Sequence, residues 1–166
     1  MSNVLIGIIG VILFIGLALA GALFLGPRFQ ESTNNSKASA AVQAVAQVAN
    51  AANMYRVQEG QVLMTGNLDL LTGGGYLKTA PKNPAGTADI ILGQSPTTYG
   101  AGNPAVYATM DIPLSSKSIC LAIIRQNGGG NLTSPLVEGD AGSLTSPTGC
   151  VADAATPTRY VVYSRI

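Results

Sequence analysis

Val4-Leu-Ile-Gly-Ile-Ile-Gly-Val-Ile-Leu-Phe-Ile-Gly-Leu-Ala-Leu-Ala-Gly-Ala-Leu-Phe-Leu-Gly26 carries no charged side chain, and none precedes Arg28. As an α-helix the stretch rises about 35 Å, enough to cross a hydrocarbon core of roughly 30 Å. Everything after it is more polar and rich in Gly, Ser, Thr and Asn. The chain therefore reads as one apolar rod carrying one soluble head.

Three uses of such a rod are open. A cleaved signal peptide begins with basic residues, and Met1-Ser2-Asn3 has none. A plain membrane anchor has little need of Gly7, Gly10, Gly16, Gly21 and Gly26, each of which weakens a helix in water by about 1 kcal/mol against Ala. Close helix–helix packing does need small residues, and Gly16-x-x-x-Ala20 and Ala18-x-x-x-Ala22 fit the small-xxx-small spacing. The third use suits the residues best.

The head is sized for one small domain. The chain as a whole is sparsely charged, at 10% Asp, Glu, Lys and Arg with a net charge of +1. That balance gives no electrostatic footprint for nucleic acid or for an acidic surface. With no His, the commonest general base and metal ligand is missing. Cys120 and Cys150 are expected to pair if the head is exported, closing a loop for roughly 3.5 kcal/mol in the chain-entropy account. In a cytosolic head they would instead be two free buried thiols.

Gly26-Pro27 interrupts the rod, since proline donates no backbone bond and crowds the preceding turn. Ala38, Ala41, Val45, Val48, Ala52 and Tyr55 then recur at three- and four-residue spacing, with Gln43, Gln47 and Asn50 opposite. This predicts a second helical length over about 28–58, continuous with the rod or kinked from it, ended by Gly60. Residues 61–104 read as loop around one short helix near 67–73. Residues 105–112 read as a strand, and Ser115 to Gln126 as a short helix that Ser115 can cap. Gly128-Gly-Gly130 closes that helix. Residues 131–147 are turn-rich, with a strand candidate at Leu136-Val137, and Arg159–Arg165 is an alternating terminal strand. Tyr160 and Tyr163 fall on its opposite faces. The fold class is α+β, with three segments: 1–27, an apolar transmembrane or filament-core helix; 28–58, an amphipathic helix continuing into the head; and 59–166, a globular head with a small, mainly antiparallel sheet.

No constellation points to catalysis. Glu138 and Asp140 read as a solvated turn. Asp140-Ala-Gly-Ser lacks the oxygen density of a calcium loop, and Gly73-Gly-Gly75 lacks the Lys-Ser/Thr of a phosphate loop. Asn131-Leu-Thr133 matches the glycosylation triplet. Asp69 and Glu59 have no nucleophile near them in sequence.

The order of parts resembles the type IV pilins. An uncharged start at Met1 is similar to a pilin N-terminus after a basic leader is removed. Tyr76-Leu77 followed by Pro81 and Pro84 is similar to the family's Gly-Tyr-Leu-then-prolines stretch. Tyr107 to Pro113, then Ser115 to Gln126 with Cys120 inside, resembles the type IVb, toxin-coregulated-pilus-like subgroup, and Cys150 before a final strand would close its disulfide-bonded region. The chain departs from the family at Leu5, where most major pilins carry Glu.

The resemblance implies a non-enzymatic structural subunit with no cofactor and no metal. Its partners would be copies of itself in a helical filament, the inner membrane before assembly, and a prepilin peptidase with assembly machinery. Met1 would be the processed and methylated residue. Gly7, Gly10, Gly16, Ala20, Gly21 and Pro27 would form the assembly helix, with head contacts through loops at about 61–104 and 127–147. The expected destination is an extracellular pilus. By the positive-inside rule Arg28 and Lys37 alone would hold the head in the cytoplasm, so this destination needs the removed basic leader. Leu5 keeps a second expectation in play: a minor or tip pilin, or a membrane-anchored ligand-binding module that does not polymerise.

Overall fold

The computed structural model describes residues 2–61, 68–94, 106–129, 146–152 and 159–166. Two compact units divide the chain, Met1–Asn34 and Asn35–Ile166. One helix, α1 (Ser2–Glu59), contributes to both. It continues past Pro27, so that residues on either side of the proline belong to one helix. The division falls inside Ser32-Thr-Asn-Asn-Ser36, a run of poor helix formers. There the Thr33 hydroxyl donates to the Phe29 carbonyl at 2.9 Å, a side-chain bond that competes with the helical ladder.

In the second unit the apolar stripe of α1 is core. Ala38, Ala41, Val45 and Val48 are 0% exposed and Ala52 is 3%, while Gln43, Gln47 and Asn50 face outward. The stripe mixes alanines with Val45 and Val48 and joins the main core with residues of the sheet and α3. Gly60 takes φ +68° and its N–H returns to the Arg56 carbonyl at 3.0 Å, which ends the helix as glycine allows. The head continues with α2 (Asp69–Gly73), β1 (Ile90–Gln94), β2 (Val106–Pro113), a 3₁₀ turn at Leu114–Ser116, α3 (Lys117–Gln126), β3 (Thr148–Ala152) and β4 (Arg159–Arg165).

The four strands form one antiparallel sheet in the order β1-β2-β4-β3, so the fold is α+β. Strand alternation sorts the residues. Ile90, Leu92, Ala108, Met110, Ile112, Cys150, Tyr160 and Val162 join α1 and α3 in the main core. Tyr107, Val151, Val161 and Tyr163 form a smaller buried cluster on the other face. Tyr160 and Tyr163 thus lie on opposite faces, both buried. Gly149 pairs with Tyr163 across β3 and β4, and a Cβ there would come within 2.5 Å of the Tyr163 hydroxyl. Only glycine lets that ring lie across the neighbouring strand.

Several local expectations meet the structure differently. β1 lies in the stretch that reads as loop, and β3 is a strand that the residues do not announce. Ser115 does not cap α3: it sits in the 3₁₀ turn, and Ser116 holds the N-cap position without a capping bond. The Ser116 hydroxyl instead donates to the Ala85 carbonyl at 3.4 Å. At its other end α3 closes as expected. Gly128 N–H bonds to Arg125 O and Gly129 N–H to Ile124 O, the paired pattern of a Schellman motif. Leu136-Val137 lies outside the described residues.

Candidate assembly surface

Among the described residues, the side chains from Val4 to Phe29 supply none of the buried core. Leu5 is 63% exposed, Phe14 74%, Leu17 73%, Leu23 75%, Phe24 78% and Phe29 75%. The most apolar window of α1 has a mean hydropathy of 2.8, and none of it is buried. This is one helix long and apolar enough, by length and composition, to cross a membrane. Contiguous apolar surface of this extent is foreign to the outside of a soluble monomer and marks contact with lipid or protein.

The glycines sharpen the point. A Cβ added at Gly7, Gly10, Gly16, Gly21 or Gly26 would meet nothing within 4 Å, so nothing among the described residues requires these positions to be small. At about 100° per residue, Gly7, Gly10 and Gly21 share one side of the helix, and Gly16 and Ala20 share another roughly 130° away. Small residues on two sides leave room for close approach by more than one neighbour. The helix continues through Pro27, although proline has no backbone N–H to give to a carbonyl four residues back. Met1 lies outside the described residues.

Cys120 and Cys150 form a disulfide across 5.4 Å between their Cα atoms. Both half-cystines are buried, at 0% and 3% exposure, so the bond ties α3 to β3 from inside the core. Asn127 reinforces the same join, donating to the Thr148 carbonyl at 2.9 Å. The reading of two free thiols is thereby set aside.

The other residues singled out in the sequence are scattered. Glu138, Asp140 and Asn131-Leu-Thr133 lie outside the described residues. Glu59 accepts a hydrogen bond from the Tyr76 hydroxyl at 3.0 Å, and Tyr55 meets the Tyr76 ring edge-on at 5.4 Å. Burial, then the Glu59 bond, raises the Tyr76 pKa, consistent with a hydroxyl that fastens the end of α1 to the segment after α2. Burial pushes the Tyr163 pKa up to about 12, and Tyr107 beside it adds to the shift. Gly73 ends α2, and Gly74-Gly75 make the turn after it, Gly75 at φ +78°. Among the described residues no three His, Cys, Asp or Glu gather to hold a metal.

One feature escaped the sequence reading. A cavity of about 360 Å³ opens beside β1, with Asp69 and Asp89 at its wall and Leu68, Pro81, Ile90 and Ile91 around them. It exists because β1 and the start of α2 come together, and β1 was read as loop.

No protein-family model matches the chain, and no curated protein is significantly similar to it.

Proposed function

We propose that the chain is a structural subunit of the type IV pilin kind, which polymerises through residues 1–27 into an extracellular filament and has no catalytic role. The observation that carries this reading is a helical rod whose apolar side chains and glycines find no partner among the described residues, carried by a head whose core is closed by a buried disulfide. Before assembly the rod resides in a membrane, the inner membrane in a bacterial setting. Moving it into a bundle of identical rods changes its apolar burial little. Association is then governed by close packing at small residues rather than by a hydrophobic drive. The disulfide favours an oxidising compartment for the head. Leu5 favours a second reading, a minor pilin or anchored module, because it lacks the acid that most major pilins carry at this position.

Electron microscopy of material sheared from cells expressing the chain tests the proposal. Thin filaments made mainly of this polypeptide are expected. Retention of all the protein in the membrane fraction would instead favour the anchored module.

A further inference from the structure

The cavity beside β1 and the outer face of α3 are complementary in charge and lie toward opposite edges of the sheet. β1 is one edge in the order β1-β2-β4-β3. Asp69 and Asp89 are exposed at its cavity and belong to no ion pair among the described residues. Lys78 and Lys82 are close in sequence but do not line it. Ile91, 47% exposed, adds an apolar wall.

At the far edge, α3 is bonded to β3 through Cys120–Cys150. Ile119, Ala122 and Ile123 turn inward. Its outward face presents Lys117, Ser118 and Arg125, with Leu114 just before the helix 44% exposed and Leu121 partly buried. That surface is basic with an apolar edge, whereas the cavity is acidic with an apolar wall.

We infer that the α3 face of one copy docks into the β1 cavity of the next, with the Arg125 guanidinium set against the Asp69 and Asp89 carboxylates. The inference rests on the polymer reading above and deepens it by naming the head contact. Two different patches that meet between copies make a heterologous contact, and such a contact repeated without closing gives an open helical filament. Opposite charges fix which copy faces which, and like charges placed there are strongly disfavoured. Leu114 and Ile91 supply the apolar part of the contact.

Charge reversal in the full chain tests this. Arg125→Glu alone, and Asp69→Lys with Asp89→Lys, are each expected to cut the yield of sheared filaments at least about five-fold. All three changes together should restore it. Filaments from the parent chain with either reversal assembling as well would overturn the docking inference while leaving the polymer reading intact, and so would failure of the combined variant to recover. Absence of filaments from the parent would overturn the polymer reading itself, and this inference with it. As a check independent of folding losses, Asp89→Cys with Arg125→Cys should give a ladder of covalent multimers from oxidised filaments, and monomer alone would overturn the contact.

Discussion

The two halves of α1 use small residues in the same way and differ in who answers them. In residues 35–59 the alanines and valines of one stripe are covered by the sheet and α3, down to 0% exposure at Ala38, Ala41, Val45 and Val48. In residues 2–34 the glycines are just as small, yet a methyl group at any of them would touch nothing. A small residue in the head is therefore explained by its own fold. A small residue in the rod has no such explanation among the described residues, and the proposed filament supplies one. The same substitution should thus produce opposite results in the two halves.

The largest contrast is expected at Gly16. Gly16→Leu adds helix propensity worth up to about 1 kcal/mol and has free space in the chain, so head stability should not change. Filament yield should nonetheless fall about ten-fold, because close approach between rods is lost. Shearing yield set beside the thermal midpoint of the head checks both halves of this statement. The disulfide bears on the head alone: Cys120→Ser should cost it about 2–5 kcal/mol, measured by denaturant unfolding with and without reductant. Ala41→Leu follows. It overpacks a position with 0% exposure and should cost about 1–3 kcal/mol, whereas Ala20→Leu should leave unfolding unchanged and weaken assembly only.

The smallest effect concerns pH. Tyr163 is held neutral by burial, with its pKa raised to about 12 from 10.0. A group raised in the folded state stabilises fully below its unfolded pKa, and this contribution is lost as pH climbs through the folded value. Head stability should decline between pH 10 and 12, and Tyr163→Phe should flatten that decline in a pH series of unfolding midpoints.

Much of this architecture is legible in the residues. Periodicity in α1 is long and regular, so its core face from Ala38 to Ala52 can be read directly. β4 alternates with aromatic and β-branched residues, and Ile119, Ala122 and Ile123 mark the inner face of α3. β1 and β3 are not legible, for physical reasons. Ile90-Ile-Leu-Gly-Gln94 is short, holds a glycine, and alternates only once its pairing with β2 is known. Thr148-Gly-Cys-Val-Ala152 has strand formers only at Thr148 and Val151, is broken by Gly149 and does not alternate in burial. It is held by β4, by Tyr163 across Gly149, and by the disulfide. The β1 cavity inherits that illegibility, since Asp69 on α2 and Asp89 before β1 line one cavity only where those two elements meet. The rod, by contrast, is written plainly in composition, because exclusion of charge needs no tertiary context.

The most direct test of the claim that the rod is answered by other copies is a helical reconstruction of the sheared filaments by electron cryomicroscopy. The account predicts residues 3–26 at the filament axis, each rod packed on at least two neighbouring rods, with Gly7, Gly10, Gly16 and Gly21 at the closest approaches. Filaments in which these helices make no contact with one another, or lie outside a core of heads, would contradict it.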